Sequence, residues 1–564
     1  MSGDREHPYL PTLEAELVRK RIDRREFLRT ATLLGMSATA AYAFADRVTG
    51  EGAGEARAQA APAANKPKGG TLRIGMRCME VGSPHTYSWV EASNSGRAVL
   101  DYLTVTGPDN VTRGSLVERW EASPDLKTWT LHLRRDVKWR KGRAFTADDV
   151  VWNLKRVLDP KTGSSTIGLM KGFILDEFET DEVDAKGAKK KSTRLWSDKA
   201  IEKVDDHTVR LNGKSAQLAI PEQLYHYPLL IMDPAEGGKF EVGSNGTGPF
   251  EMVENVVGRK QVFRARKDYW GEGPYVDQLE CIDLGTDQAA QLSAIASGQV
   301  DMLYGTDIQI AVAIEKLPNM VMHKVDTSYT AVARMQPVKP LDDKRVRKAI
   351  QHATDVNAIL AAAHRGLGLP GEHHHVSPIH PEYAKLPPVA RDIPKAKTLL
   401  AEAGYPNGVD VEFTCRQTPA WEPAAAQIMV EQWKDAGIRA KITVMPDTQY
   451  WEVWTKVPFG LTTWAHRPLG VLNLALAYRS GGAWNESKYS NPEFDRLLTE
   501  AEGTLDVEKR RAIMAKLEQI LLDDAPIIVP LWRALFTFSH KKVVGFRMHP
   551  SAYINANEIA VTPA

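Results

Sequence analysis

A chain of 564 residues is longer than one hydrophobic core can organise, because cores stop growing near ~250–300 residues, so two or three domains are expected. Its 43% hydrophobic and 25% charged residues are those of a soluble globular protein. The 72 basic and 71 acidic side chains leave a net charge of +1, which argues against a nucleic-acid partner.

Residues 1–60 read as an address. "RIDRREFLRTATLLGMSATAAYAFA" (21–45) places the adjacent Arg24 and Arg25 before Phe27, Leu28 and a mild apolar stretch. The stretch is too short and too weak for a membrane span of ~20 apolar residues. A charged start, an apolar middle and small-residue cleavage positions describe a secretory signal. The arginine pair is similar to the twin-arginine type, which a dedicated translocase reads. Cleavage after Ala45 or after Ala60 fits, with 46–67 as a disordered leader. The competing expectation is an uncleaved amphipathic helix.

"GGTLRIGM" (69–76) and "KTWTLHLRRDVKW" (127–139) alternate as half-buried strands. "AFTADDVVWNLKRVLDP" (144–160) is a helix opened by a Thr146/Asp149 capping box and ended by Pro160. Strands follow at 206–211, after "GTGPF" (246–250), at 260–270 and at 275–284. "DQAAQLSAIASGQVDML" (287–303) is a helix stopped by Gly298, then a strand. From 342 to 366 the spacing predicts one long helix with Val346, Ala349, Ile350 and Ala353 inward. Residues 395–445 alternate helix, strand, helix, strand, an α/β signature. Two more helices (491–503 and 507–526) precede terminal strands.

Residues 116–160, "LVERWEASPDLKTWTLHLRRDVKWRKGRAFTADDVVWNLKRVLDP", resemble the diagnostic segment of the extracytoplasmic solute-binding proteins of family 5, the dipeptide- and oligopeptide-binding components of ABC importers. Lys141-Gly142 stands where that family usually has Asp-Gly. "GTGPF", "RKDYWG" (266–271), "SGQVDML" (297–303), "PLDDKRVRKAIQHATD" (340–355) and "NPEFDRLL" (491–498) match in the family's order. The resemblance covers about 69–560.

It implies an α/β, two-lobed periplasmic-binding-protein fold of type II, in the large cluster C form. Residues 61–100, 240–325 and 511–564 would build the first lobe, with 101–239 inserted as an extra subdomain and 326–510 as the second lobe. A solute would be trapped by hinge closure. The implied protein is a monomeric periplasmic receptor that delivers a solute to inner-membrane permease subunits. It is not an enzyme and carries no cofactor, metal or catalytic residue.

The residues bear on rivals. "GLGLPG" (366–371) matches a dinucleotide fingerprint by letter, but it follows a helix and opens none, so it reads as a helix end and loop. His373, His374, His375 and His380 suggest a nickel- or haem-binding receptor, against the plainer reading of an exposed loop. No G-x-S-x-G, H-E-x-x-H or Cys nucleophile context supports an exported enzyme. A chaperone-like binder of exported chains is a third rival. Cys78, Cys281 and Cys415 have no metal-ligand spacing and read as small buried side chains, with a Cys78–Cys281 bridge left open.

"TTWAHRPLG" (462–470) carries the specificity question. Peptide-binding members of the family resembled often read Trp-x-Ala-Asp-Tyr-x-Asp-Pro here, and the first Asp takes the ligand ammonium. This chain keeps Trp464-Ala465 but has His466 and Arg467 where that Asp and its neighbour are expected. Donors in place of an acceptor fit an N-modified or acidic peptide, an opine-like conjugate or another carboxylated solute. The alternative pairs Arg467 with a protein carboxylate. Trp484, Asn485 and Tyr489, then Tyr329 and Arg334, then Tyr87 and Trp89 complete the ligand-binding candidates.

Overall fold

The computed structural model describes residues 7–50, 66–183, 189–482 and 484–563. Most of the leader assigned to 46–67, and the cleavage position after Ala60, lie outside the described residues.

A twelve-stranded mixed sheet organises the molecule among the described residues. Its path runs Phe250–Val256, Lys260–Ala265, Gln278–Ile282, Thr71–Gly75, Met302–Leu303, Leu531–His540, Met320–Met335, Phe459–Trp464, Val409–Arg416 and Ile438–Met445. Gly368–Pro370 and Ile527–Ile528 attach beside it. Thr71–Gly75 shows why sequence alternation suffices here: Leu72 and Ile74 point inward at 0% and 1% exposure, between the parallel strands Gln278–Ile282 and Met302–Leu303.

Two strands run through both halves of the sheet. The first half of Met320–Met335 pairs with Leu535–His540, its second half with Phe459–Trp464. Between Val325 and Tyr329 the register breaks. Such an irregularity bends a strand locally, and here it falls at residues 326–328, between the two pairings. Leu531–His540 crosses beside it, its start pairing with Gly368–Pro370.

On the second-lobe side, Phe413, Trp433 and Phe459 pack their rings 4.6–5.5 Å apart in one apolar cluster with Val346, Ala349, Ile350 and Ala353. The 342–366 stretch is two helices, not one: Lys344–His352 and Val356–His364. Asp355 separates them because its carboxylate accepts the Ala358 amide as an N-cap. The Thr146/Asp149 capping box is present at Ala147–Leu158. That helix lies against a separate sheet of Val117–Ala122, Thr128–Leu133, Thr208–Asn212 and Ile201–Asp205.

At "GTGPF" the glycines permit close approach. A Cβ on Gly246 would sit 1.9 Å from the Val99 carbonyl oxygen. "GLGLPG" ends the helix Val356–His364 and then supplies the short strand Gly368–Pro370, so more of it is ordered into the sheet than a loop reading implies.

The N-terminal segment is helical over Leu10–Val18, Arg24–Leu33 and Ala38–Thr49, and packs on the body. No helix among the described residues is long and apolar enough to cross a membrane. Cys78, Cys281 and Cys415 are free and buried; Cys78 Sγ lies 3.4 Å from the Cys281 carbonyl oxygen without bridging to it.

The histidine-rich loop corrects the expectation of exposure. His373, His374, His375 and His380 are at most 3% exposed. His375 packs among Trp464, Tyr478 and Trp532, with its Nδ1 2.8 Å from the Tyr478 hydroxyl. Pro and Gly composition suggested a surface loop, but the surrounding rings offer a drier partner than water. Among the described residues no group of three His, Cys, Asp or Glu is placed to hold a metal.

Burial, aided by neighbouring imidazoles, pushes His373 to about 4 and His374 and His375 to about 3. Burial likewise depresses His380 to about 4. Unfolded histidine titrates near ~6.5. The unfolded chain therefore binds more protons below that value, and stability present above pH 6.5 is lost as pH falls toward 4 and 3. Each such histidine weakens the fold by about 2 kcal/mol between neutral pH and pH 5. Thermal midpoints at pH 7.5 and pH 5 should differ by many degrees, and His375→Phe should shrink the difference. Equal midpoints would contradict neutral, buried imidazoles.

Candidate solute-binding site

A cavity of about 660 Å³ opens between the two halves of the sheet, beside the crossing strands. That size suits a small solute. Phe459–Trp464 brings Thr463 and Trp464 to its wall, the segment just after it brings Ala465 and Arg467, and Met320–Met335 brings Tyr329 just after the register break. The loop after the first strand adds Ser88 and Trp89, and Leu531–His540 adds Arg533.

Indoles dominate one wall. Trp89 meets Trp451 edge-on at 5.8 Å, Trp451 meets Trp454 at 5.7 Å, Trp454 meets Trp484 at 6.1 Å, and Trp484 meets Trp464 at 5.9 Å. Edge-to-face rings at these separations hold one another in place. Trp421 lines the cavity separately, under the Arg533 guanidinium at 5.5 Å.

The charged groups on its wall are the guanidiniums of Arg77, Arg416, Arg467 and Arg533 and the carboxylates of Glu91, Asp307 and Asp447. Arg416 is already satisfied: Glu422 binds it through two oxygens at 2.8 and 2.6 Å, and Asp447 stands 3.8 Å away. Asp447 also accepts from the Thr418 amide and hydroxyl, and Asp307 from the Gln309 and Ala420 amides. Burial raises the pKa of Glu91. Arg467 and Arg533 differ from Arg416. Neither has a carboxylate within ion-pair distance among the described residues, and the buried Nε of each lacks a hydrogen-bond partner there, as do the indole nitrogens of Trp421 and Trp451. Arg467 is 8% exposed. Leaving a buried donor unpaired costs about 1–3 kcal/mol, and more for a charge. An occupant rich in acceptors removes that penalty.

Of the residues singled out from sequence, Trp464, Arg467, Trp484, Tyr329 and Trp89 are brought together on the cavity wall. The other five are placed elsewhere, each for a visible reason. His466 is 2% exposed and turns from the cavity. Its Nδ1 accepts from the Ser328 amide at 3.1 Å, which leaves Nε2–H to donate to Asn110 Oδ1 at 3.3 Å. Burial, then His380, His549 and Arg467, hold it well below the usual imidazole range, so it brings no positive charge.

Arg334 is fully buried and donates to Glu486 at 2.6 Å, to the Val457 carbonyl at 2.5 Å and to the Trp454 carbonyl. Glu486 also accepts from Trp464 Nε1 at 2.8 Å. Arg334 thus positions cavity indoles without touching the cavity. Asn485 closes its own turn, donating to the Arg479 and Tyr489 carbonyls. Tyr489 gives its hydroxyl to Asp524 at 2.7 Å. Tyr87 is buried against Gly96 behind the cavity wall.

Sequence reasoning missed Arg533, Trp421, Trp451 and Trp454. Two signals were readable. Arg533 is a lone charge inside the apolar run "IIVPLWRALF", and Trp451 and Trp454 stand three apart on one helical face.

The profile of the bacterial extracellular solute-binding proteins, family 5, matches residues 112–485. Heme-binding protein A of Haemophilus influenzae is 26% identical over 477 residues, covering 78% of this chain and 82% of that protein. Periplasmic oligopeptide-binding protein OppA of the same species is 25% identical over 471 residues, covering 79% and 84%. The fold is that of the binding protein AgaA from A. tumefaciens R10, solved with agropinic acid, at a TM-score of 0.75, 22% identity and coverage of 88% and 99%. Profile, ordered motifs, two-lobed fold and interlobe cavity agree: this chain belongs to the bacterial extracellular solute-binding proteins of family 5, which bind solutes and are not enzymes.

Proposed function

We propose that this chain is the periplasmic receptor of an ABC importer and that its solute is peptide-like and anionic. An N-blocked or acidic peptide, or an opine-like conjugate, has the required chemistry. One observation carries the reading: Arg467 is buried in the cavity wall with no carboxylate partner among the described residues. A peptide ammonium would meet a cation there, whereas a carboxylate would meet a planar fork.

In this reading the lobes take the division 61–100, 240–325 and 511–564 against 326–510, with 101–239 inserted. The receptor closes as a monomer, presents the closed form to inner-membrane permease subunits, and reaches the periplasm through the twin-arginine route. Relatives that bind haem or nickel complexes suggest a metal-loaded solute, but no imidazole of His373–His375 lines the cavity.

Native mass spectrometry of receptor taken from its own periplasm tests this. The bound mass is expected to be that of an anionic, carboxylate-bearing compound: an N-blocked or acidic peptide or an opine-like conjugate. A plain dipeptide bound equally well by Arg467→Ala would overturn the anionic reading.

A further inference from the structure

The helix Arg24–Leu33 is more deeply embedded than an address requires. Asp23 caps it by accepting the Glu26 amide at 2.8 Å. From Glu26 to Leu33 every residue is buried. Helix Ala38–Thr49 covers its outer side, with Phe27 and Phe44 rings 5.1 Å apart and Arg24 paired to Asp46 at 2.7 Å.

Its inner side makes polar contacts that the body completes. Arg29 pairs with Glu222 at 3.0 Å, the two side chains at 2% and 0% exposure. Glu26 pairs with Arg510 at 3.3 Å, at 2% and 0%. Trp120 Nε1 donates to the Leu33 carbonyl at 2.8 Å, and Tyr42 to Asp109 at 2.6 Å. Phe27, Leu28, Ala31 and Leu33 share an apolar cluster with Trp120 and Val507.

The two ion pairs reach opposite sides of a seam. Glu222 lies on the short helix Ile220–Gln223, and Arg510 on helix Val507–Asp524. Across that seam the Leu218 amide donates to the Glu502 carbonyl at 2.9 Å. Glu222 also lines a cavity of about 40 Å³ whose wall includes Arg467, so the contact reaches the edge of the solute site. Removing either partner of these buried pairs would strand the other as an uncompensated charge, so each pair ties the segment to the body.

We propose that residues 24–49 form an intramolecular clamp. Docked across the seam through Arg29–Glu222 and Glu26–Arg510 in the chain that still carries it, this segment keeps 215–224 and 502–512 together and holds Phe27, Leu28 and Arg29 buried, so its recognition for export requires its release. Release of this segment frees the seam to open.

Hydrogen exchange of the full chain, read by mass spectrometry, tests the clamp. Residues 24–33 should exchange as slowly as core helices. Arg29→Glu should speed exchange about tenfold or more in 24–33 and also in 215–224. Arg29→Glu with Glu222→Arg should restore protection in both. Phe44→Ala, which leaves the ion pairs intact, is the milder variant should the reversal not fold, and it should loosen the same two segments. Free-peptide exchange of 24–33 in the unaltered chain would overturn the proposal. So would loosening confined to 24–33, or a double reversal that restores nothing.

Discussion

Arg467→Ala is expected to weaken binding of the copurifying solute by about 30- to 1000-fold, with little loss of stability in the empty receptor. A buried, hydrogen-bonded charge pair that loses one member typically forfeits about 2–4 kcal/mol of affinity. The empty protein gains from the same change, because Arg467 is buried with an unpartnered Nε. Arg467→Lys should fall between, since an ammonium keeps the charge but loses the fork. Titration calorimetry with the identified solute separates these cases. Equal affinity for all three proteins would move the anion site to Arg533, whose guanidinium lies over Tyr329 at 5.1 Å and Trp421 at 5.5 Å.

Arg334→Ala should act in the opposite way, on the fold first. It removes one member of a buried pair, Arg334 at 1% and Glu486 at 4% side-chain exposure. The Glu486 carboxylate is left with Trp464 Nε1, and the Val457 and Trp454 carbonyls lose their donor. Breaking such a pair costs about 3–5 kcal/mol. Urea unfolding should show this loss at an unchanged denaturant slope. Arg334→Met alone should not rescue, because Glu486 stays charged and buried, whereas Arg334→Met with Glu486→Leu should recover much of the loss. Wild-type stability of Arg334→Ala would mean that this pair does not hold the indole wall. Together the variants sort two arginines that look alike in the sequence: one serves the solute, the other the scaffold.

That sorting marks the limit of legibility. The strands, the capping box at Thr146 and the α/β alternation of 395–445 depend on local pattern, and the structure has them. Trp464 and Arg467 were findable because a familiar frame held them in register. Arg334 and Arg467 differ only in whether a carboxylate from a distant segment comes within reach, Glu486 being 152 residues from Arg334. No local pattern encodes that. The same holds for the histidine loop, whose burial is decided by Trp464 and Trp532 from other strands. The split at Asp355 was readable in principle, since an Asp inside a helical run is also a capping signal. The docked N-terminal helices were hidden by their resemblance to an address.

The register break in the crossing strand has one further consequence. Residues 326–328 sit where the ladder between the lobes lapses. Ser328 there holds the amide of Arg467 at 3.1 Å and, through its own amide, the ring of His466. The backbone that carries the solute-facing arginine is therefore tied to the residue at which the strand's ladder is interrupted. If the lobes close about that interruption, Ser328→Ala should alter both solute affinity and the extent of closure, which small-angle scattering with and without solute would read.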